Sequence, residues 1–327
     1  MAEIRYVNAI RLALTEELDR NPGVCLYGED ITFGGPFGAT KGLAERFGEE
    51  RIRNTPISEA TVVGLAVGAA TVGARPVVEV MFIDFITLAM DQLVNHAAKL
   101  HYMTGGQLRV PLTIRSTFGV AGGWGAHHSQ SLEAWLMHVP GLKVVMPATP
   151  ADARGLLKAA IRDDNPVMVL EHRALYFTHA SVEHDDSVIA LGSASVRRRG
   201  RDVTVVALSR MVHDALEAAD RLAAEGIEVE VIDPRTIAPL DLDTIVESVR
   251  RTSRVVVAHE AVVNGGVGAE IAASIQEAAF DYLDAPVRRV GAPSTPVPAS
   301  PALERLFTPG VDEIEGAVRA SLAGSGL

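Results

Sequence analysis

Runs of apolar residues alternate with amphipathic segments through the N-terminal part of the chain. The runs are rich in Val, Ile and Leu, which is typical of buried strands, while the segments between them repeat apolar residues at helical spacing. This pattern predicts strands at 24–28, 76–82, 110–115, 142–147 and 166–171, with helices at 7–18, 58–73, 84–100 and 152–162. Strands that alternate with helices in this way favour a parallel sheet covered on both faces, so the predicted fold class is α/β.

A second α/β unit is predicted beyond a break in this pattern. Between about 180 and 202 the periodicity lapses into an acidic stretch and an arginine cluster. After the break, strands are predicted at 203–208, 229–232 and 255–258, separated by helices at 212–225 and 242–249. We therefore divide the chain into an N-terminal domain, residues 1–190, and a smaller C-terminal domain, residues 191–327.

The stretch around Glu59 carries the most informative chemistry. Thr55 and Pro56 interrupt the chain, Ser58 is a candidate N-cap, and Glu59 begins a segment rich in Ala, Gly and Val. This arrangement predicts a carboxyl group at the N-terminus of a helix and against an apolar wall. A carboxyl group in such surroundings tends to keep its proton at neutral pH, because burial disfavours the charged form.

A glycine-rich run at 119–126 precedes two adjacent histidines, His127 and His128. A run with so few side chains is expected to be mobile unless something binds it. Neighbouring residues on a regular strand face opposite ways, so the two imidazoles are not expected to hold one metal ion. A histidine placed by a glycine-rich loop is instead suited to proton transfer or to hydrogen bonding with a substrate.

Composition and charge exclude several classes of protein. The chain has 327 residues, 48% of them hydrophobic, and a net charge of −11. This charge opposes binding to a nucleic acid backbone. Cys25 is the single cysteine, so no disulfide forms within the chain, and a reducing, cytoplasmic setting is expected. The N-terminus lacks the pattern of a secretory signal, and Arg75 interrupts the longest apolar segment before it could span a membrane.

Familiar nucleotide and hydrolase motifs are missing from the sequence. Residues 266–268 read Gly-Val-Gly without the third glycine of a dinucleotide site, and neither a P-loop nor a Gly-x-Ser-x-Gly elbow occurs. The sequence therefore argues against a Rossmann cofactor site, a P-loop nucleotide site and a serine hydrolase.

Several separated blocks resemble the β subunit of thiamine-diphosphate-dependent 2-oxo acid dehydrogenases, the E1 component of pyruvate, branched-chain or acetoin dehydrogenase complexes. The blocks are Thr-Pro-Ile-Ser-Glu at 55–59, Met-Phe-Ile-Asp-Phe at 81–85, Asp-Gln at 91–92 and Asn-His-Ala-Ala-Lys at 95–99. The resemblance extends over nearly the whole length. It implies an N-terminal parallel-sheet domain that binds the thiamine pyrimidine and a C-terminal domain of the transketolase type.

The resemblance also implies roles for individual residues. Glu59 would protonate the pyrimidine N1′ of the cofactor, and Ile57 and Phe85 would pack on the same ring. His128 matches the histidine of the family's His-Ser-Gln-Ser motif, near the thiazolium and the substrate carbonyl. His127 stands where the family commonly has glutamine, so the sequence leaves open which histidine faces the substrate. A structural potassium ion is implied around Leu112, Thr113, Ala160, Asp163 and Asn165.

The chain lacks the Gly-Asp-Gly motif through which the family holds magnesium and the cofactor diphosphate. The resemblance therefore implies that a separate α subunit holds Mg²⁺ in an α2β2 assembly, and that a lipoyl-bearing E2 acyltransferase docks on the C-terminal domain. The implied reaction is oxidative decarboxylation of a 2-oxo acid, with pyruvate favoured, followed by acyl transfer to E2. Two alternatives remain open at this point: an acetoin dehydrogenase β subunit and a non-catalytic scaffold subunit. The sequence does not fix the substrate.

Overall fold

The computed structural model describes residues 2–182 and 186–323. It divides into two compact units. Residues up to Phe118 together with Trp135–Leu191 form the first, and Gly119–Ala134 together with the chain from Gly192 onward form the second. The acidic stretch at 183–185, where the sequence pattern breaks, lies outside the described residues. The domain boundary between residues 190 and 191 stays a prediction.

The helices and strands are numbered separately in chain order. The helices are α1 (Tyr6–Arg20), α2 (Leu43–Phe47), α3 (Glu59–Thr71), α4 (Ile83–Ile86), α5 (Leu100–Met103), α6 (Glu133–Met137), α7 (Pro150–Arg162), α8 (Met211–Ala223), α9 (Leu242–Thr252), α10 (Val267–Ala279), α11 (Pro301–Phe307) and α12 (Val311–Leu322). The strands are β1 (Ala2–Arg5), β2 (Val24–Gly28), β3 (Ile52–Asn54), β4 (Arg75–Phe82), β5 (Thr113–Phe118), β6 (Lys143–Val145), β7 (Val167–His172), β8 (His179–Val182), β9 (Ser195–Arg198), β10 (Val203–Ala207), β11 (Val229–Asp233), β12 (Thr236–Ala238), β13 (Val255–Val262) and β14 (Arg288–Ala292).

The first unit is built on a parallel sheet. Its strands lie in the order β6-β7-β5-β4-β2-β3, and every one of these neighbouring pairs is parallel. All residues of β5 and β7 are buried, as expected for the centre of a sheet that helices cover on both faces. The apolar side of α1 and that of α7 join one core cluster with β2. The predicted α/β fold class is confirmed.

The second unit carries a mixed sheet in the order β14-β13-β10-β11-β9. The first four strands are parallel to their neighbours, whereas β9 runs antiparallel to β11 at the edge. The strands β10 and β11 are rich in Val and Ile and are buried along their whole length, including Thr204 on β10 and Glu230 and Asp233 on β11.

Two local predictions were wrong. The segment 84–100 is not one α-helix: α4 is followed by a 3₁₀ turn at Thr87–Ala89 and a π-helix at Gln92–Ala97. A π turn holds an extra residue, so it rotates the side chains that follow relative to a regular helix. Ser58 occupies the N-cap position of α3 but makes no side-chain cap; its hydroxyl donates to the Thr61 hydroxyl at 2.9 Å.

A buried charged network ties three strands of the first sheet together. The guanidinium of Arg115, on β5, donates two hydrogen bonds of 2.8 Å to Glu171 on β7 and one of 2.6 Å to Glu79 on β4. The Tyr176 hydroxyl donates to the same Glu171 carboxylate at 2.5 Å. Burial raises the pKa of Glu79 even though Arg115 acts against this shift. The positive charge of the guanidinium offsets the free-energy cost of burying two negatively charged carboxylates.

Candidate active site

Glu59 lies at the carboxyl edge of the first sheet. The parallel neighbours β3, β2 and β4 all end at this edge, and the chain leaving β3 reaches the first turn of α3 within a few residues. Glu59 is the first residue of α3 and is only 9% exposed. Among the described residues, none donates a hydrogen bond to its carboxylate. Glu59 is thus a buried carboxyl group at a helix N-terminus that accepts no hydrogen bond from the described residues.

Other acids surround Glu59. Glu29 and Asp30 follow β2 directly, and burial raises the pKa of Glu29, with further contributions from the charges of Glu59, Asp30 and Glu79. A cluster of carboxylates repels anions. This edge of the sheet therefore suits an uncharged or protonatable ring and does not suit a diphosphate.

The two apolar residues predicted to contact the cofactor ring lie at the same edge. Ile57, just before α3, is 80% exposed, which is unusual for an isoleucine. Phe85 follows β4 and packs edge-to-face on Phe82, with ring centroids 6.1 Å apart, while it remains partly exposed. Ile57 and Glu59 follow β3, and Phe85 follows β4; these two strands flank β2, so an acid and two apolar side chains lie at the same edge of the sheet.

His127 and His128 belong to the second unit. Residues 119–130, here called the histidine loop, close on themselves through a hydrogen bond of 3.1 Å from the Gly119 N–H to the Gln130 carbonyl. His127 is exposed and lines a cavity of about 330 Å³, whereas His128 is half-buried and packs against Trp124 at 6.2 Å between ring centroids. The two adjacent histidines thus have different surroundings, and they lie in a turn and a bend where the alternation of a regular strand does not apply.

Sequence reasoning missed the acidic residues that contact the histidine loop. The Glu260 carboxylate accepts the Val120 N–H at 2.5 Å, and Glu304 accepts the Gly123 N–H at 2.9 and 3.1 Å. Glu133, just beyond the loop, is 1% exposed, and burial together with the charge of Glu260 raises its pKa to about 7. A signal was available for Glu260, since it is an acid that follows the apolar run 255–258 after a single residue, His259.

The five residues predicted to hold potassium surround the start of β5 and the end of α7. The Val110 N–H donates to the Asp164 carbonyl and the Val167 N–H to the Leu112 carbonyl, which joins the two segments. Arg75 donates to the Asp163 carbonyl at 2.6 Å and Lys143 to the Asp163 carboxylate at 2.5 Å. Two cationic groups therefore already contact Asp163, and a potassium ion would have to use the free lone pairs of the neighbouring carbonyls.

The described residues contain neither a membrane-spanning helix nor a cluster of metal-binding side chains. Within 2–182 and 186–323, no helix has both the length and the hydropathy needed to cross a bilayer. Over the same residues, no three His, Cys, Asp or Glu side chains gather as a metal site would require.

Comparison with known families matches both halves of the chain. Residues 2–178 match the pyrimidine binding domain of transketolase, and residues 192–314 match the transketolase C-terminal domain. A solved structure described as "Split gene transketolase, inactive beta4 tetramer" superimposes with a TM-score of 0.79 at 28% identity, covering 98% of each chain.

Curated relatives match at higher identity. The chain is 48% identical over 322 residues to pyruvate dehydrogenase E1 component subunit beta-2, mitochondrial, of Oryza sativa subsp. japonica, covering 97% of this chain and 86% of the relative. It is 42% identical to 2-oxoisovalerate dehydrogenase subunit beta of Bacillus subtilis, covering 98% of both. It is 44% identical to acetoin:2,6-dichlorophenolindophenol oxidoreductase subunit beta of Cupriavidus necator, covering 97% of this chain and 96% of the relative.

The two units, the acid at the edge of the first sheet and these matches define a two-domain protein of the transketolase type. Within that class, the chain belongs to the family of E1 β subunits of 2-oxo acid dehydrogenases. The matched relatives include pyruvate, branched-chain and acetoin enzymes at similar identity, so membership of the family does not select a substrate.

Proposed function

We propose that this chain, assembled with an α subunit as α2β2, oxidatively decarboxylates a 2-oxo acid and passes the acyl group to a lipoyl-bearing E2. The observation that carries the proposal is the buried, unpaired Glu59 carboxyl group at the head of α3, flanked by Ile57 and Phe85. Pyruvate is the favoured substrate, because the rice relative at 48% identity bears a pyruvate dehydrogenase name.

Thiamine diphosphate fits the residues at this edge. Glu59 would donate a hydrogen bond to the pyrimidine N1′ and hold the proton there, while Ile57 and Phe85 would pack on the ring faces. When bound, the cofactor supplies the carbon nucleophile for the 2-oxo carbon and accepts the electron pair released with CO₂.

The cofactor diphosphate and its Mg²⁺ are assigned to the α subunit. The acids Glu29, Asp30 and Glu59 make the edge of the first sheet unfavourable for a diphosphate. The similar structure described as a split gene transketolase is an inactive tetramer of one kind of chain, which supports a requirement for a second kind of subunit.

His128 is proposed to hold or deliver a proton at the substrate oxygen. A glycine-rich loop can bring an imidazole close to substrate without steric interference, and an imidazole exchanges protons near neutral pH. His127 is the alternative because it lines the cavity of the second unit.

Three further parts of the proposal concern other regions of the chain. The C-terminal domain would dock E2. A structural potassium ion would bind at the carbonyls near β5. The single cysteine, Cys25, supports a reducing, cytoplasmic compartment.

The central test is Glu59→Gln in the reconstituted α/β enzyme. The amide keeps the size of the side chain but cannot release and recover a proton, so turnover is expected to fall roughly a thousandfold or more, within the range seen for lost acid–base groups. Size-exclusion chromatography should show intact assembly, and Glu49→Gln, an exposed acid, serves as the control. Wild-type turnover in Glu59→Gln would refute the assignment.

The histidines are tested as a pair. His128→Ala is expected to slow reductive acylation of lipoate more than it weakens cofactor binding, while His127→Ala should affect acylation less. Isothermal titration with the cofactor provides a readout that does not depend on activity. The reverse order of effects would transfer the role to His127.

An acetoin dehydrogenase β subunit is the second candidate, and the 44% identity to the Cupriavidus necator protein favours it. Parallel assays of pyruvate, branched-chain 2-oxo acids and acetoin distinguish these substrates. A non-catalytic scaffold subunit predicts instead that Glu59 and His128 can be replaced without effect on any of the three reactions.

A further inference from the structure

Four of the twelve residues of the histidine loop are glycines, which have no side chain to hold the backbone in place. Gly119, Gly122, Gly123 and Gly125 all have positive φ angles, between 72° and 90°, a region that other residues rarely adopt. Val120 joins a small apolar cluster with Ala292, Val297 and Phe307. A loop of this composition needs anchors from elsewhere in the chain if it is to place a histidine reproducibly.

Glu260 provides the first anchor. It lies on β13, is 5% exposed, and accepts the Val120 N–H with one carboxylate oxygen. Its second oxygen accepts the Arg210 Nε–H at 2.8 Å. Arg210 is itself fixed by the Asp214 carboxylate at 2.6 Å and the Pro309 carbonyl at 3.0 Å. Because both oxygens of Glu260 have partners, the carboxylate cannot turn away from Val120 without breaking an ion pair.

Glu304 provides the second anchor. It lies on α11, is 8% exposed, and directs both carboxylate oxygens to the Gly123 N–H. A Cβ on residue 123 would come within 2.9 Å of the Ala299 carbonyl, so the loop backbone lies directly against the segment that precedes α11. Charge-assisted hydrogen bonds of this kind are about twice as strong as neutral ones.

We infer that Glu260 and Glu304 are positioning residues: they fix the backbone at Val120 and Gly123 and thereby set the place of the histidines that follow. This inference rests on the proposed function, since it assigns the anchors to the reaction that the loop histidine serves. Each carboxylate accepts a backbone N–H of the histidine loop, so the role assigned here acts through the loop. Because their hydrogen bonds order the loop before substrate binds, the enzyme does not have to lose conformational entropy in the loop at each turnover.

The test uses the α/β enzyme with Glu304→Ala, Glu304→Gln and Glu260→Gln. Glu313→Ala is the matched control, because Glu313 also accepts a glycine N–H, that of Gly310 at 2.9 Å, but outside the loop. Hydrogen–deuterium exchange over residues 119–130 measures the anchor, and kcat and KM measure its consequence.

Glu304→Ala is expected to speed exchange in the loop about tenfold and to lower kcat roughly 10- to 100-fold with KM changed less than threefold, as for misplaced catalytic groups. Glu304→Gln retains an acceptor oxygen and should recover most of the loss. Glu260→Gln should loosen the loop as well, since its amide cannot satisfy both Val120 and Arg210 as an acceptor.

Unchanged exchange in Glu304→Ala and Glu260→Gln would overturn the inference, as would a loosened loop with kcat within twofold of wild type. Should the wild-type enzyme turn over neither 2-oxo acids nor acetoin, the proposed function fails, and the exchange data alone then decide whether the two carboxylates hold the loop. Glu304→Gln keeps the test decisive if the alanine variant does not fold.

Discussion

Gly268 lies against the imidazole ring of His259 so closely that a methyl group at Gly268 would come within 2.5 Å of Nε2. Gly266 and Gly291 approach the same ring, where a Cβ would lie 2.7 and 3.0 Å from Cε1. His259 is completely buried, and this burial lowers its pKa to about 4. The two glycines of the 266–268 motif thus make room for a neutral imidazole inside the protein.

Replacing Gly268 by alanine should therefore destabilise the protein. Gly268 lies in the first turn of α10 without a positive φ, where alanine would otherwise be favoured by up to about 1 kcal/mol. Overpacking against His259 is expected to outweigh this gain and to cost roughly 1–3 kcal/mol. Urea unfolding of Gly268→Ala gives the measurement.

Two further variants separate the clash from other effects. Gly316→Ala places a methyl group in open space on α12 and should stabilise the chain slightly. In a His259→Ala background, Gly268→Ala should change from destabilising to neutral or stabilising. If Gly268→Ala lowered the free energy of unfolding equally with and without His259, the imidazole would not be the reason for this glycine.

Glu133 should give the protein a stability that falls as pH rises. Its folded pKa of about 7 lies above the ordinary value of 4.5, so the folded state binds the proton more tightly than the unfolded state. The stabilisation is complete below about pH 4.5 and is lost as pH rises through 7, a loss of about 2–3 kcal/mol between pH 5 and pH 8. Glu133→Gln should remove this loss and unfold later than wild type at pH 8. An identical pH profile in both proteins would contradict the assignment.

Arg115 should be among the most sensitive residues of the first unit. Arg115→Met leaves the Glu171 and Glu79 carboxylates buried without their cation, which typically costs about 3–5 kcal/mol. Arg109→Met is the matched control, because Arg109 forms an ion pair with Asp164 at 2.5 Å but is 68% exposed. Its loss should stay below about 1 kcal/mol, as for exposed pairs. Thermal unfolding of both variants measures the two losses. Equal decreases in melting temperature would argue against burial as the main reason for the importance of the Arg115 ion pairs.

Potassium can be tested without any substitution. An ion that binds only the folded chain stabilises it by about 1.4 kcal/mol when present at ten times its dissociation constant. The melting temperature in KCl should therefore exceed that in NaCl or choline chloride at equal ionic strength. Identical melting in the three salts would mean that the contacts of Arg75 and Lys143 with Asp163 suffice at this site.

The local patterns of the sequence determine most of the secondary structure. The strands predicted at 24–28 and 76–82 agree with β2 and β4 to within one residue, because buried parallel strands are rich in apolar residues. The predicted helix at 58–73 contains α3. The position of Glu59 at the head of that helix follows from the same local signals, since the chain breaks at Thr55 and Pro56 just before it.

Only the tertiary structure decided which distant groups meet. Glu260 and Val120 are 140 residues apart in the chain, and Glu304 and Gly123 are 181 residues apart. In the sequence, the glycines at 266 and 268 resemble an incomplete nucleotide-binding motif. In the structure, their lack of side chains leaves room for the imidazole ring of His259. The spacing of apolar residues along the sequence indicates only which side of a helix or strand each residue lies on. The pairing of a backbone N–H with a carboxylate depends on how the elements pack in three dimensions, and packing is a property of the whole unit.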